Sequence, residues 1–531
     1  MNDPRIQRYL ADQAAAIDLA PADVTAVTKR GNRRRNQKRG GVLAAVAVLG
    51  VLGTSLVLTD DDPQQSVESQ FASAVVPTDL DWTVVQAAAD RGLAYGAAVS
   101  LEDGTLYALS TAPGPSKANS LYTEQRLYRS TDGTEWEEAD LPNGIKLSTL
   151  YGAGDTLYAV GTAPAGGDAR KLSLASTDDG GATWNELELP DDVSRLEQQF
   201  PGMISISQPS VAAQDATHQV ATVVVSTVLT PSLYRDDIPE DGGWEQTPDG
   251  LKVYKPLPPC SEAGMPVSAN PTDEEAEEYR AAMQADGACR AEDKEPEVLG
   301  VYTWDELGMP AELRQYIGGK AFTYATEDGQ SFQRVELPGD VRGWGASVLA
   351  APDGYRLFLS ENTITSATTT VLRSEDGLTW TPGGSFGGSF SSAGMLGDRP
   401  AVAVWPFDGP GEVRVELADG TWSVIDVLSA IDVPAGHDAW LSEAAFGPLG
   451  LAATVNSFPR DGETGQQAYL VHSKDGTTLS VLDLADHFGN QTGYTIGLAV
   501  NADAITVRAV HGADGDAATV EPTDVLVGTP R

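Results

Sequence analysis

The sequence predicts an all-β fold built from repeated four-stranded units, and two recurring phrases support this prediction. A short box of the form Ser/Thr-x-Asp-x-Gly-x-Thr-Trp is best preserved at residues 177–184. A second phrase, interpreted as a turn leading into a buried strand, precedes several boxes, and residues 103–111 match residues 154–162. A fixed period of roughly fifty residues indicates stacked supersecondary units. A unit of about four short antiparallel strands is a blade of a β-propeller.

The box has the composition of a β-turn between two strands. Glycine adopts the positive φ that the turn requires, the aspartate accepts backbone N–H groups, and the Ser or Thr hydroxyl closes the turn locally. The aromatic residue begins the next strand. A metal or catalytic site is the alternative, but local hydrogen bonding explains the residue types, and the dense oxygen ligands of a calcium loop are missing. We assign this structural role to Ser130, Asp132, Gly133, Trp136, Thr177, Asp179, Gly181, Trp184, Asp328, Gly329, Phe332, Ser374, Asp376, Gly377, Trp380, Ser473, Asp475 and Gly476.

The repeats divide the chain into seven blades. The last blade lacks its own box and outer strand. Residues 80–85, with Trp82 in the position of the box aromatic, have the pattern of the missing strand. We therefore expect this N-terminal strand to join the last blade and close the ring, which removes exposed sheet edges. The blades span roughly residues 88–142, 145–190, 203–338, 343–388, 390–430, 438–486 and 492–530.

The third blade is interrupted at its second turn. A strand phrase at residues 220–226 is followed by its box only at Thr326, and a structureless loop of that length is uncommon. Capping boxes at residues 272–275 and 303–306 predict helices, and a further helix is expected from Pro310 through Ile317. The sequence therefore predicts a small helical insertion at 230–320. Up-and-down strands place this insertion on the face opposite the boxes.

The two cysteines of the chain, Cys260 and Cys289, both lie in the insertion. Outside a membrane such a pair is expected to form a disulfide bond. The disulfide would stabilise the insertion locally by about 3–4 kcal/mol, because it would close a loop. A pair of buried free thiols is the alternative. Two cysteines without nearby histidine do not make a zinc site.

An uncharged segment near the N-terminus predicts a membrane anchor. Residues 40–59 carry no charged side chain and are long enough to span a bilayer as a helix. A cleaved signal peptide is the alternative, but the preceding region is too long and no small-residue cleavage site follows directly. The positive-inside rule makes 1–39 a basic cytoplasmic tail. A polar linker, 60–79, then leads to the extracytoplasmic propeller, 80–531.

The charge distribution excludes one class of partner. Formal net charge is −41, and residues 1–41 hold nine Lys or Arg against four Asp, a net of +5, which leaves −41 − 5 = −46 for the remainder. Nucleic-acid binding needs a basic face. We therefore expect no nucleic-acid partner outside the membrane, and contact with the lipid bilayer through residues 40–59.

The boxes resemble those of the Asp-box, or BNR-repeat, β-propellers. That group includes sialidases, sortilin-type ectodomains, xyloglucanases and photosystem assembly factors. The resemblance covers roughly residues 80–531 and suggests a membrane-anchored bacterial member. It implies ligand binding on the face opposite the boxes, where the insertion emerges. It does not imply an activity, because one fold hosts many chemistries.

Motifs for catalysis are missing from the sequence. In sialidases the first arginine lies in a Phe/Tyr-Arg-Ile-Pro motif before the first box, whereas Arg91 here lies in Ala-Asp-Arg-Gly. None of the five histidines forms an HExxH motif, and the glycine-rich residues 383–389 lack the lysine and the strand–helix context of a phosphate loop. Glycosidases need two carboxylates about 5 or 6.5–9.5 Å apart, which an acidic chain supplies by chance. We predict no catalytic residue, cofactor or metal.

These observations predict a non-enzymatic, single-pass protein of the cell membrane. Its N-terminus would be cytoplasmic, and its extracytoplasmic propeller would bind a protein or glycan ligand through the face that carries the insertion. Two alternatives stay open. One is a glycoside hydrolase on a sialidase-like scaffold. The other is a transmembrane regulator that signals through residues 1–39, whose acidic-then-basic pattern is otherwise explained by anchoring alone.

Overall fold

Runs of aliphatic and β-branched residues form the strands, and glycine-containing turns separate them. The chain divides into two units, Met1–Gln65 and Ser66–Arg531, and every residue described lies in the second. The computed structural model describes residues 70–531 with gaps at 72–73, 87–97, 102, 104, 114–122, 132–135, 154, 167–168, 188, 208, 231–233, 236–237, 239–243, 248, 255–297, 340, 363–365, 407–408, 461–466, 489–493, 501–503 and 512–523.

Three short N-terminal strands precede the repeats, and antiparallel sheets follow in chain order. The N-terminal strands are β1 (Gln70–Phe71), β2 (Ala74–Val75) and β3 (Leu80–Gln86). Sheet one contains β4 (Ala98–Ser100), β5 (Leu106–Pro113), β6 (Thr123–Ser130) and β7 (Glu137–Ala139). Sheet two contains β8 (Lys146–Ala153), β9 (Thr156–Gly166), β10 (Ala169–Thr177) and β11 (Asn185–Leu187), and helix α1 (Asp192–Gln199) follows it.

Sheet three is the repeat that the insertion interrupts. It contains β12 (Ile204–Ile206) and β13 (Ser210–Ala213), which both pair with β14 (Gln219–Thr227), and then β18 (Lys320–Thr326) and β19 (Gln333–Val335). Sheet four contains β20 (Gly345–Ala351), β21 (Gly354–Asn362), β22 (Ala367–Ser374) and β23 (Thr381–Gly387).

The last three sheets have the same up-and-down order. Sheet five contains β24 (Ser389–Leu396), β25 (Arg399–Trp405), β26 (Glu412–Glu416) and β27 (Trp422–Ile425). Sheet six contains β28 (His437–Gly447), β29 (Gly450–Pro459), β30 (Gln467–Ser473) and β31 (Thr478–Asp483), and helix α3 (Ala485–Phe488) follows it. Sheet seven contains β32 (Tyr494–Val500), β33 (Ile505–His511) and β34 (Asp524–Pro530).

The sheets pack face to face in chain order. From sheet one to sheet seven, the first strand of each sheet contacts the first strand of the next. Among the described residues, each of the six buried hydrophobic clusters joins two consecutive sheets. Leu357 of β21 packs toward Val224 of sheet three, whereas its neighbour Phe358 packs toward Val404 of sheet five. Burial on both faces explains why these strands are continuous hydrophobic runs.

The N-terminal strands complete the outer edges of the last three sheets. The predicted pairing of residues 80–85 with the last repeat is confirmed, because β3 pairs antiparallel with β34. A side chain at Gly528 would collide with the ring of Trp82, so this pairing needs glycine there. Strands β1 and β2 pair in parallel with β27 and β31. Part of the segment 60–79, interpreted as linker, thus belongs to the sheets, and such two-residue pairings leave no sequence period.

The insertion joins β14 to β18, the predicted second turn of sheet three. Its described part is mainly a three-stranded sheet of β15 (Trp244–Thr247), β16 (Gly250–Tyr254) and β17 (Val298–Thr303), so the expectation of a helical insertion is wrong for these residues. The predicted helix at 310–317 shortens to α2 (Ala311–Arg314). The capping box at Thr303 and Glu306 forms both hydrogen bonds but closes a turn that ends at Gly308, where φ is +73°.

Several predictions fall outside the described residues. They are the tail 1–39, the membrane segment 40–59, the helix beginning at residue 272, and the disulfide between Cys260 and Cys289. In the part of the chain that is described, no helix has the length and apolar character needed to span a bilayer.

Candidate functional site

The up-and-down connectivity gives the stacked sheets two edges. The turns between first and second strands and between third and fourth strands lie at one edge, which we call the box edge. First strands begin at the other edge, where second strands also connect to third strands. The insertion connects β14 to β18 there, and we call it the insertion edge.

The box edge consists of closed polar turns. The Thr177 hydroxyl donates to Asp179 (2.8 Å) and accepts from the Gly181 N–H (3.0 Å). Hydrogen bonds from the Thr183 side chain and then its backbone lower the pKa of Asp179 to about 2. The glycine-to-hydroxyl bond recurs from Gly329 to Thr326 (3.1 Å), from Gly377 to Ser374 (2.8 Å) and from Gly476 to Ser473 (2.8 Å).

The other box aspartates are held in the same way. Hydrogen bonds from the Ser331 and Gln330 backbone lower the pKa of Asp328 to about 2. Burial raises the pKa of Asp475, but backbone bonds from Thr478 and Thr477 outweigh it and lower that pKa to about 2. These carboxylates are ionised and accept local donors. Their arrangement is that of turn-closing groups rather than of a reaction centre.

Polar contacts at the box edge also join neighbouring sheets. The Trp184 indole donates to the Asp140 carbonyl (2.9 Å) in sheet one. Arg373 of sheet four donates to the Gly420 carbonyl (2.7 Å) in the turn between the third and fourth strands of sheet five. Arg399 of sheet five donates to the Asp475 carbonyl (2.6 Å) in sheet six. Boxes therefore connect each of these sheets to the one before it.

The remaining predicted box residues differ in burial, and two of them lie outside the described part of the chain. Phe332 and Trp380 are buried, and the Trp380 indole donates to the Gly377 carbonyl of its own box (2.9 Å). Ser130 is buried and Trp136 half-buried. Asp132 and Gly133 lie outside the described residues.

A buried ion cluster lies at the same edge between sheets four and five. The Arg356 guanidinium donates to Glu416 (2.8 Å) and to Asp353 (2.8 Å), and Arg373 also pairs with Glu416. Arg356 and Glu416 are both buried. Burial lowers the pKa of Arg356, but Asp353 and Glu416 outweigh it and raise that pKa. Since each charge here is matched, the cluster is a structural contact between sheets.

Exposed hydrophobic side chains mark the insertion edge. Of ten large exposed hydrophobic residues in the described part, three lie in the N-terminal segment and seven lie at this edge or in the insertion. The exposed aromatic residues are all among the seven. These aromatic side chains, with their exposed fractions, are Trp244 (42%), Trp344 (39%), Trp440 (45%) and Phe458 (40%).

Trp344 lies beside the end of the insertion. The Trp344 N–H donates to the Ser360 carbonyl (2.7 Å) at the start of β20. Two residues earlier, the Arg342 guanidinium donates to the Ile317 carbonyl (2.8 Å). The Gly343 N–H donates to the Gly319 carbonyl (3.4 Å). The backbone at Trp344 is thus fixed by both sheet four and the insertion, while its indole stays exposed.

First strands change register near the insertion edge. Pairing skips Ser148 in β8, Ser391 in β24 and Ser442 in β28. The first strand of sheet three is broken into β12 and β13 at a comparable place. Bulges redirect side chains and are frequent at rims and beside binding sites. Three sheets therefore carry a serine where the first strand bends at this edge.

The residue after each of two bulges reaches the next sheet. The Ser392 hydroxyl donates to the Ala444 carbonyl (2.6 Å), and Glu443 accepts from the Leu498 N–H (3.4 Å). Sheet six thus carries a carboxyl where sheet five has a hydroxyl. Burial raises the pKa of Glu443, although the Leu498 N–H opposes this. Glu443 is a partly buried acid on a first strand near the exposed Trp440.

The residues at the first-strand bulges, including Ser392 and Glu443, were not predicted from the sequence. Their signal is a short phrase of a large hydrophobic residue, a serine and a polar residue in the first strands: Leu147-Ser148-Thr149, Phe390-Ser391-Ser392 and Leu441-Ser442-Glu443. Such phrases are too short to distinguish from chance without the strand register. Among the described residues, no group of three or more His, Cys, Asp or Glu side chains is arranged to hold a metal ion.

Comparison with known proteins agrees with this architecture. Residues 48–235 match a family model described as DUF6242 beta propeller domain. No curated protein sequence matches the chain. The family model and the stacked antiparallel sheets identify an all-β protein with a β-propeller domain.

Solved structures similar to this chain include several enzymes. A Penicillium chrysogenum alpha-L-arabinanase complexed with arabinobiose is 13% identical with a TM-score of 0.32, over 87% of this chain and 98% of that chain. A puromycin hydrolase is 12% identical with a TM-score of 0.41, over 82% and 53%. A Trypanosoma rangeli sialidase in complex with sialic acid is 10% identical with a TM-score of 0.31, over 86% and 60%.

Proposed function

We propose that the protein is a non-enzymatic, membrane-anchored binding protein of the Asp-box type. Its seven blades form an extracytoplasmic propeller, and a protein or glycan ligand binds at the insertion edge. Residues 40–59 anchor the chain in the cell membrane with the N-terminus in the cytoplasm, as their uncharged sequence and the flanking basic residues support.

One observation carries the binding proposal, namely the contrast in exposed side chains between the two edges. The described exposed aromatic residues lie at the insertion edge or in the insertion, whereas the box edge has closed turns and matched charges. Aromatic side chains supply much of the binding free energy at recognition surfaces. An edge that, together with its insertion, keeps three tryptophans exposed is suited to contact a ligand.

Photo-crosslinking of the full-length protein in its cell membrane tests this proposal. A photoreactive amino acid replaces Trp344 or Phe458 at the insertion edge, and Asp178 or Glu375, which are exposed at the box edge, provides the matched control. We expect a discrete adduct from the first pair alone. Adducts from the box-edge positions alone would refute it. Extraction of the protein from membranes by alkaline carbonate would separately refute anchoring.

A second candidate function, glycoside hydrolysis, is favoured by one residue. Glu443 is a partly buried carboxyl with a raised pKa, the property of a general acid in such reactions. The reaction also needs a second carboxylate. Release of nitrophenol from nitrophenyl glycosides by the wild type, with loss in Glu443→Gln, would support hydrolysis and overturn the non-enzymatic proposal.

A further inference from the structure

Several polar side chains of sheet six lie beside Trp440, the most exposed of the described aromatic residues. Asn456 is directly opposite Trp440, and Thr454 is opposite Glu443, across β28 and β29. Cross-strand partners in an antiparallel pair share a face of the sheet, and alternate residues of one strand do too. Glu443 bonds to Leu498, so this face is turned toward sheet seven.

Two polar atoms on this face have no internal partner. The side-chain oxygen of Asn456 and the hydroxyl of Thr454 are buried without a hydrogen bond to any described residue. Asn456 is 8% exposed and Thr454 is fully buried. Native proteins pair nearly all buried polar groups, so an unpaired one requires an explanation. Asn456 is the nearer of the two to the insertion edge, since β29 runs toward that edge.

We propose that Trp440, Glu443 and Asn456 form a binding site for a neutral saccharide at the insertion edge. The indole stacks on the apolar face of a sugar ring. A rotamer change of Trp440 uncovers Asn456, whose side-chain oxygen accepts a sugar hydroxyl. Glu443 bonds to a further hydroxyl. This assignment rests on the proposed function and narrows its ligand from a protein or glycan to a saccharide.

The negative charge of the protein favours a neutral saccharide over an anionic one as the ligand. The chain carries a formal net charge of −41, and the site itself contains a carboxyl group. The field of an acidic protein disfavours anionic ligands. The unpaired atom of Asn456 is an acceptor, so it matches a hydroxyl group and repels a carboxylate. Uronic and sialic acids should therefore bind more weakly than neutral sugars.

A microarray of neutral and sialylated oligosaccharides, probed with the full-length protein in detergent, tests the ligand class. We expect binding to neutral members. Titration calorimetry with the strongest neutral oligosaccharide then compares variants. Loss of one hydrogen bond to the ligand should weaken binding roughly ten-fold in Asn456→Leu. Trp440→Ala should weaken it at least as much.

Thr454→Val is the matched control, because it removes the deeper unpaired hydroxyl. Removing an unsatisfied buried polar group should leave the melting temperature unchanged or higher in both Asn456→Leu and Thr454→Val. Only Asn456→Leu should lose affinity. Equal affinity of wild type and Asn456→Leu overturns the site. An array with no neutral binder overturns the saccharide class, while adducts at Phe458 in the crosslinking experiment would leave the proposed function standing.

Discussion

The two edges of the propeller sheets are formed by the same repeated strands but differ in which side chains they pair and which they expose. At the box edge, hydroxyl, carboxylate and guanidinium groups find partners within the turn or in the neighbouring sheet, as Thr177 and Arg356 do. At the insertion edge, first strands bulge and aromatic side chains such as Trp440 stay exposed. The repeat therefore pairs polar groups at one edge and leaves aromatic side chains exposed at the other.

The largest expected effect concerns the buried ion cluster. Glu416→Gln removes the buried negative charge that Arg356 and Arg373 share, and leaves Arg356 with the more exposed Asp353 as its remaining carboxylate partner. Breaking a buried pair from one side costs about 3–5 kcal/mol of unfolding free energy. Calorimetric melting of the full-length protein measures this loss. Arg460→Gln, which breaks an exposed pair with Asp438, should shift the melting temperature far less.

A smaller effect is expected at a box. Thr177→Val keeps the side-chain shape but leaves the Gly181 N–H without its acceptor. An unsatisfied buried donor costs about 1–3 kcal/mol. Ser442→Ala removes an exposed hydroxyl at a first-strand bulge and is the matched control. Equal melting temperatures for the two variants would contradict this difference, because both edges would then contribute equally to the free energy of unfolding.

The smallest effect is a pH dependence at the insertion edge. Burial raises the pKa of Glu443 above its ordinary value of 4.5, so the folded state favours the protonated acid. Stability from this group is complete below the ordinary pKa and is lost as pH rises through the folded pKa. Glu443→Gln should therefore melt like the wild type near pH 4 and at a higher temperature near pH 7. A difference that does not change with pH would contradict this.

The sequence predicted the repeated elements because their turns use local chemistry. Each box contains its own donors and acceptors, so residues such as Thr326 and Asp328 indicate the turn without knowledge of the fold. The strand at residues 80–85 was predictable for a related reason, because the last repeat lacks its own outer strand.

The candidate site could not be predicted in the same way. Trp440 and Asn456 are sixteen residues apart in sequence, and only the strand register places them opposite each other. The bulge at Ser442 shifts that register by one residue, which no local pattern reveals. The insertion was predicted as helical because its capping boxes are strong local signals, yet β17 pairs with β16 across a long connection.

One variant from each edge tests whether the insertion edge binds the ligand and the box edge stabilises the fold. Trp440→Ala and Thr177→Val are made in the full-length protein, and each is assayed for melting temperature and for ligand capture by the photoreactive amino acid at Trp344. We expect Trp440→Ala to lose capture at an unchanged melting temperature, while Thr177→Val melts at a lower temperature and still captures ligand. Loss of capture in Thr177→Val below its melting temperature, with full capture in Trp440→Ala, would contradict it.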